Sequence, residues 1–235
     1  MYLLKYELKK VLRNNYFIGS FVLMLLSPIF TLILISLNPR GFEVGDFNQM
    51  NLVFLSLIGS KVIFPLTGML LLKVEYDQKG WSSLFVTPIE RKRMLWLKLV
   101  ASFIWSILLI LSSAVFAYIT EIILFDDYRV LRMIDDTLLS YMMLVLYILP
   151  YNILGFLLAY TMKQTVLPLV VLSSTIFVGY LIQLFHRALF LPSAIPEFII
   201  TGQTGSQILP AYLILYITAI LAYITLRYLF KNRDY

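Results

Sequence analysis

The sequence predicts an all-α membrane protein with six transmembrane helices. Three observations support this fold class: 60% of the 235 residues are hydrophobic, only 14% are charged, and the mean hydropathy is +0.86. A soluble domain of this size is nearer half apolar and about a quarter charged. Several apolar runs exceed about 18 residues, which lets a helix cross the roughly 30 Å hydrocarbon core of a bilayer. We expect a single transmembrane domain over residues 1–235.

Six apolar runs define the predicted spans, which we number 1 to 6 in chain order. They cover residues 16–37, 51–73, 94–124, 138–162, 165–185 and 208–230. Span 3 is longer than one perpendicular crossing requires, so we expect it to begin as a helix in water and then to tilt through the bilayer.

Basic residues sort to one side of the predicted bundle. Most of the 19 Lys and Arg residues lie before span 1, between spans 2 and 3, after span 4 or at the C-terminus. Because such residues accumulate in cytoplasmic loops, both termini and the 73–98 loop are expected in the cytoplasm. The net charge of +6 is therefore a topology signal, and we expect a lipid bilayer as the partner and no nucleic acid.

Residues 1–15 are predicted to form an amphipathic helix at the membrane interface. Apolar and basic side chains recur at helical spacing on opposite faces: Leu4, Leu8, Val11 and Leu12 on one, Lys5, Lys9 and Arg13 on the other. Such a helix lies flat on an anionic leaflet. The alternative is a solvated lead-in to span 1. A signal peptide is not expected, since the next apolar run is too long and lacks a small-residue cleavage site.

The residue types present exclude several kinds of site. The chain has no cysteine and a single histidine, His186, so neither a thiolate nor a histidine-based metal site is expected. The spans show no Ser/His pair, paired carboxylates or metal-ligand cluster for acid–base or hydrolytic chemistry. No G-x-x-x-x-G-K-[ST] phosphate loop occurs either. We therefore expect a protein that is not an enzyme.

Two charged residues inside spans are candidates for a translocation path. Lys61 lies near the middle of span 2, where a lysine costs about 2.5–3.5 kcal/mol on insertion scales and normally faces protein or a water-filled cavity. It either lines a path or serves structure, paired with another group or snorkelling outward. Glu121, near the outer end of span 3, is a possible partner and the second path candidate.

The segment 73–98, KVEYDQKGWSSLFVTPIERKRMLWLK, is the most informative part of the chain. After span 2, Gly80 is a natural hinge, and the following residues can form a short helix with Trp81, Leu84 and Phe85 on one apolar face. This face suits a groove on a cytosolic partner. The alternative is an interfacial helix that only anchors to lipid.

A tight break separates this short helix from span 3. Proline disfavours helical geometry at the residue before it, so the short helix is expected to end by Thr87. Thr87 can then cap the next helix, with Pro88 at its first position and Glu90 completing a capping box. Arg91, Lys92 and Arg93 would hold the start of span 3 at the cytoplasmic surface.

These residues resemble the signature of type-2 ABC transporter permeases. The pattern consists of Glu75, Gly80, Leu84, Thr87-Pro88-Ile89, Arg91 and Lys98, and the resemblance in topology covers the whole chain. It implies that the segment is a coupling helix that binds the ATPase subunit, through Glu75, Gly80, Trp81, Leu84, Phe85, Thr87, Pro88 and Arg91. The family often has Thr or Ser after the glycine, where this chain has Trp81.

The resemblance also implies an assembly and a cargo class. Two cytosolic ABC ATPase subunits would carry ATP and Mg, leaving this chain without a cofactor, and a second copy or a related permease would complete the membrane part. The outer segment 186–207 would be re-entrant, although a surface loop fits its sequence equally well. Small permeases of this family, in bacterial cell membranes, export antimicrobial or cytolytic peptides or give bacitracin-type resistance.

Other functions fit the same scaffold. The spans are rich in Tyr, Phe, Leu and Met, which suits an amphipathic or hydrophobic cargo, although the tyrosines, among them Tyr141, also fit simple helix packing. Export of polysaccharide, drug or sodium remains open, as does a membrane immunity or sensor protein that does not transport.

Overall fold

The computed structural model is an all-helical bundle. It describes residues 4, 7–9, 15–37, 45–77, 91–125, 134–164, 166–184, 192, 195–196 and 208–232, and no strand occurs among them. Six long helices lie on the six apolar runs: span 1 is Asn15–Leu37, span 3 is Arg91–Phe125, span 4 is Ile134–Met162, span 5 is Val166–Leu184 and span 6 is Ile208–Asn232. The predicted all-α membrane fold is confirmed.

Span 2 is built from three consecutive pieces. An α-helix over Asp46–Phe54 continues into a π-helical segment, Leu55–Ile63, and then into an α-helix over Phe64–Asp77. The helix begins before and ends after the predicted apolar run 51–73, because hydropathy marks only its lipid-depth portion, whereas hydrogen bonding carries the helix into polar residues at both ends.

The surface of the bundle is apolar, as a lipid environment requires. Four described helices are long and apolar enough to cross a membrane by length and composition: Asp46–Lys73, Lys92–Leu124, Thr137–Met162 and Ile208–Lys231. Spans 1 and 5 hold the shorter apolar stretches Ile18–Ile33 and Val166–Ile176. Large side chains such as Ile18, Leu111 and Ile217 are exposed. Apolar surface of this extent marks a membrane-facing protein.

Span 2 lies at the centre of the bundle. In its most apolar window 78% of the helix is buried, compared with 22% for span 6. It packs against spans 1, 3, 4 and 5, and Phe47, Leu55 and Phe64 are fully buried. The helix that leads into segment 73–98 is thus the most buried of the four long apolar helices.

The structure describes only a few residues of two other predicted segments, the N-terminal helix and the outer segment 186–207. In the N-terminal segment, Leu4 and Leu8 pack against the main core while Lys9 is exposed, as expected for an amphipathic helix. In the outer segment 186–207, the structure describes Pro192, Ile195 and Pro196, and Ile195 is fully buried in the same core. The remainder of that segment lies outside the described residues.

Spans 2 and 4 approach each other closely at two glycines. A Cβ atom at Gly155 would lie 2.8 Å from Cβ of Pro65 and 3.1 Å from its backbone. A Cβ atom at Gly68 would lie 2.5 Å from the ring of Phe156. Small residues of this kind let membrane helices pack backbone against backbone.

We expect Gly155→Ala to destabilise the protein by about 1–3 kcal/mol, the usual cost of overpacking a core. The added methyl group meets the backbone of Pro65, which cannot move without moving span 2. Thermal unfolding in detergent measures the effect. Gly19→Ala is the matched control, because nothing lies within 4 Å of a Cβ atom there. Equal midpoints for the two variants would contradict the close contact.

Candidate functional site

The two ends of the bundle carry different chemistry. At the signature end, span 2 ends at Asp77 and span 3 begins at Arg91; at the distal end, span 3 ends at Phe125 and span 4 begins at Ile134. Glu75 and Arg91 lie in the helices that flank the coupling segment. Six predicted partner-binding residues lie outside the described residues: Gly80, Trp81, Leu84, Phe85, Thr87 and Pro88.

A buried ion pair lies beside the signature end. Nζ of Lys98 is 3.2 Å from Oε2 of Glu7, and the side chain of Lys98 is only 1% exposed. Lys98 was predicted as one of the basic residues at the cytoplasmic surface, but the structure buries it. A charge is buried at tolerable cost only when it is paired and hydrogen-bonded. The pair therefore fixes the N-terminal segment to the first turns of span 3.

Sequence reasoning missed Glu7. Glu7 is the single acidic residue among the basic residues of the N-terminal segment, which is the signal that could have identified it. It follows Leu3 by four residues and Leu4 by three. This spacing places Glu7 on the same side as Leu4, which packs against the core. An acid on the packed face of an amphipathic helix indicates a buried basic partner.

Lys61 lies in the π-helical segment and is 2% exposed. It does not snorkel to the outer surface of the bundle. Among the residues that the structure describes, it has neither a hydrogen-bond nor an ion-pair partner. The π-helical segment packs against spans 4 and 5. Such segments are rare and occur frequently at functional sites.

The suggested pairing of Lys61 with Glu121 is wrong. The carboxylate of Glu121 instead accepts hydrogen bonds from the backbone N–H of Gly45, at 2.6 Å, and from the side-chain amide of Asn48. Lys61 lies thirteen residues after Asn48 in the same continuous helix. At a rise of about 1.5 Å per residue this is roughly 20 Å along the helix axis, so the two charges lie at different depths.

Glu121 caps the start of span 2 from span 3. Gly45 precedes the first turn of span 2 with a φ of 105°, a left-handed conformation that favours glycine. The first N–H groups of a helix lack partners within it, and its N-terminus attracts negative charge. The buried carboxylate of Glu121 meets both requirements. These contacts give the buried carboxylate of Glu121 a structural role at the distal end of the bundle.

Asn51 joins four spans through one side chain. Its Oδ1 accepts hydrogen bonds from Ser27 of span 1, at 2.5 Å, and from Ser113 of span 3, at 3.2 Å. Its Nδ2 donates to the hydroxyl of Tyr141 of span 4, at 2.9 Å. Asn51, Ser27 and Ser113 are fully buried. A buried polar network with satisfied members is rigid and specifies one arrangement, so the distal half is tied together.

We expect Glu121→Gln to lower stability by about 1–3 kcal/mol, because its amide has one acceptor oxygen for two donors, the backbone N–H of Gly45 and the side-chain amide of Asn48. The double variant Asn48→Asp/Glu121→Gln restores a donor–acceptor pair and should recover part of the loss. Thr120→Val is the control, since that exposed hydroxyl donates to the carbonyl of Phe116 in its own helix. Unfolding midpoints in detergent test this, and an unchanged midpoint in Glu121→Gln would refute the cap.

Comparisons with known proteins identify the family. The sequence profile described as the ABC-2 family transporter protein matches residues 3–183, more than half of the chain. That match includes the signature segment, Lys61, Glu121 and both members of the Lys98–Glu7 pair. No curated protein matches the chain, and no solved structure matches it. The chain therefore belongs to the ABC-2 transporter family, whose members supply the membrane-spanning permease subunit of an ABC transporter.

Proposed function

We propose that the chain is the permease subunit of an ATP-driven exporter that moves an amphipathic or hydrophobic cargo out of the cytoplasm or the membrane. ATP and Mg would bind two separate cytosolic ATPase subunits, which dock on segment 73–98, and a second permease chain would complete the complex in the cell membrane. The observation that carries this proposal is the family match over residues 3–183, which contains the docking segment.

The contacts of spans 2 and 3 support a route for the force. The docking segment joins Asp77 to Arg91 at the signature end, while the Glu121 cap and the Asn51–Ser113 hydrogen bond hold the same two helices together at the distal end. A push on the segment would therefore tilt spans 2 and 3 as one hairpin about their distal contacts. The signature end would lie in the cytoplasm.

The cargo we favour is an antimicrobial or cytolytic peptide. The buried interior is rich in aromatic rings that carry hydroxyls, as where Tyr147 and Tyr151 meet edge to face with ring centroids 5.1 Å apart. Aromatic rings with polar tips suit a molecule that is partly apolar and partly polar. If the cargo were sodium, a drug or a polysaccharide, that compound would be the one that stimulates ATP hydrolysis. The cargo class can therefore be tested by comparing compounds.

The test reconstitutes the permease with its ATPase in lipid vesicles and measures the rate of ATP hydrolysis. An amphipathic cationic peptide is expected to stimulate hydrolysis, whereas sodium and an oligosaccharide leave the rate unchanged. A complex whose ATPase lacks the phosphate-loop lysine gives the background. Stimulation by sodium or the oligosaccharide alone would show that the cargo is of that class and not a peptide. No stimulation by any compound would favour a protein that does not transport.

A further inference from the structure

Two lysines are buried in the described part of the bundle, and they differ in one respect. Lys98 is paired with Glu7. Lys61 is equally buried, yet no described residue gives it a hydrogen bond or a counter-ion. The described acidic residues stand at the ends of the spans or in the N-terminal segment: Glu7, Asp46, Glu75, Asp77, Glu121, Asp135 and Asp136.

No acidic residue of its own helix can reach Lys61. Asp46 and Glu75 are the nearest before and after it, and both lie on the order of 20 Å away along the axis. The neighbouring hydroxyls of Ser60 and Ser56 donate to backbone carbonyls of their own helix, those of Ser56 and Val53, and neither accepts a hydrogen bond from Lys61 among the described contacts. Within the part of the chain that the structure describes, the ammonium group thus has no group that compensates its burial, as buried charges normally do.

The surroundings of Lys61 define the chemistry of a ligand. Close to Lys61 in sequence, the same helix buries Leu55, Ile63 and Phe64 in the apolar core, so a ligand that supplies a negative charge to this segment must tolerate a largely apolar interior. Span 5 packs over the π-helical segment, and its other main contact is span 4. Several of its own side chains, including Val166 and Val170, face outward. On this side, therefore, span 5 is the layer between the π-helical segment and the lipid-facing surface.

We propose that Lys61 binds the anionic headgroup of an amphiphile, a carboxylate or a phosphate, whose apolar chain lies along the bundle beside spans 4 and 5. This deepens the proposed function, because it assigns a negatively charged group to the cargo or lipid that the permease binds in the membrane. It rests on the proposed function only for the identity of the amphiphile. The headgroup belongs either to the cargo or to a membrane lipid.

The test uses two fluorescent probes that differ in one charge, a nitrobenzoxadiazole-labelled dodecanoic acid and its methyl ester. Their binding to the purified permease in uncharged detergent is measured by fluorescence anisotropy, without the ATPase. The wild-type protein is expected to bind the acid about tenfold more tightly than the ester, a difference typical of a charged hydrogen bond. This comparison needs no variant and so does not depend on one that folds.

Variants then assign the preference to one residue. Lys61→Gln should bind acid and ester alike, Lys61→Arg should keep the preference, and the exposed control Lys92→Gln should behave as the wild type. Equal binding of acid and ester by the wild-type protein, or a preference that survives in Lys61→Gln, would overturn the proposal.

Competition distinguishes the two sources of the headgroup. Displacement of the acid probe by phosphatidylglycerol assigns the site to lipid, and displacement by a peptide with a free C-terminal carboxylate, but not by its amidated form, assigns it to cargo. ATP hydrolysis by the reconstituted complex is scored separately. A permease that binds the acid probe at Lys61 but shows no coupled hydrolysis would retain this site and lose the export function.

Discussion

Replacing Lys98 by methionine is expected to lower the free energy of unfolding by about 3 kcal/mol, toward the low end of the range for breaking a buried ion pair. Methionine keeps the length and the apolar stem of the side chain, so the change removes little except the charge. Glu7, whose side chain is 12% exposed, would then lose this ion pair while remaining largely buried. Unfolding by heat or denaturant in detergent measures the loss.

Lys61→Met is the matched control for this variant. The substitution and the burial are the same, but the charge removed has no partner among the described residues. Its loss should leave stability unchanged or raise it. Glu7→Gln combined with Lys98→Met should recover part of the stability lost in Lys98→Met alone. A loss in Lys61→Met as large as that in Lys98→Met would show that Lys61 is structurally paired.

Replacing Trp81, Leu84 and Phe85 together by alanine is expected to abolish association with the ATPase. Interface anchors of this type contribute about 2 kcal/mol or more each, so three together weaken binding by more than about a thousandfold. Membrane insertion should remain intact, because the segment lies between spans 2 and 3 and adds no apolar run to either. Co-purification with a tagged ATPase measures the association.

The control for the triple variant is Trp96→Ala. Trp96 lies at the end of the same segment, but it comes five residues after Arg91, the last predicted docking residue. It is 57% exposed on the surface of span 3, where its ring meets Tyr223 edge to face. Loss of this tryptophan should leave co-purification unchanged. Undiminished recovery of the ATPase with the triple variant would refute docking through these residues.

The sequence predicted the helices well because the bilayer imposes one requirement on all of them. Every span must be apolar over about 30 Å, and hydropathy reports that length directly. It reports nothing about which way a side chain points around the helix axis. By hydropathy Asn51 is only the first residue of an apolar run, whereas in the structure it is the centre of a network that joins four spans.

The charged residues show the same limit. By its position in the sequence Lys98 is expected at the cytoplasmic surface, but its side chain points into the bundle and is buried against Glu7. Lys61 and Glu121 were considered as partners because both are ions within spans, whereas their depths keep them apart. Pairing of this kind depends on packing between helices distant in sequence. The π-helical geometry around Lys61 could not be predicted either, since LSLIGSKVI carries no distinctive motif.

Docking of the ATPase on segment 73–98 is tested most directly by cross-linking from a single thiol. The chain contains no cysteine, so Leu84→Cys introduces one reactive group in the proposed coupling helix. Leu138→Cys, an exposed leucine at the distal end of span 4, is the matched control. Each variant is co-expressed with the ATPase and labelled with a thiol-linked photo-cross-linker in membranes. Cross-linking of the ATPase from position 84 and not from position 138 is the predicted result; no cross-link from position 84, or one from position 138 instead, would contradict it.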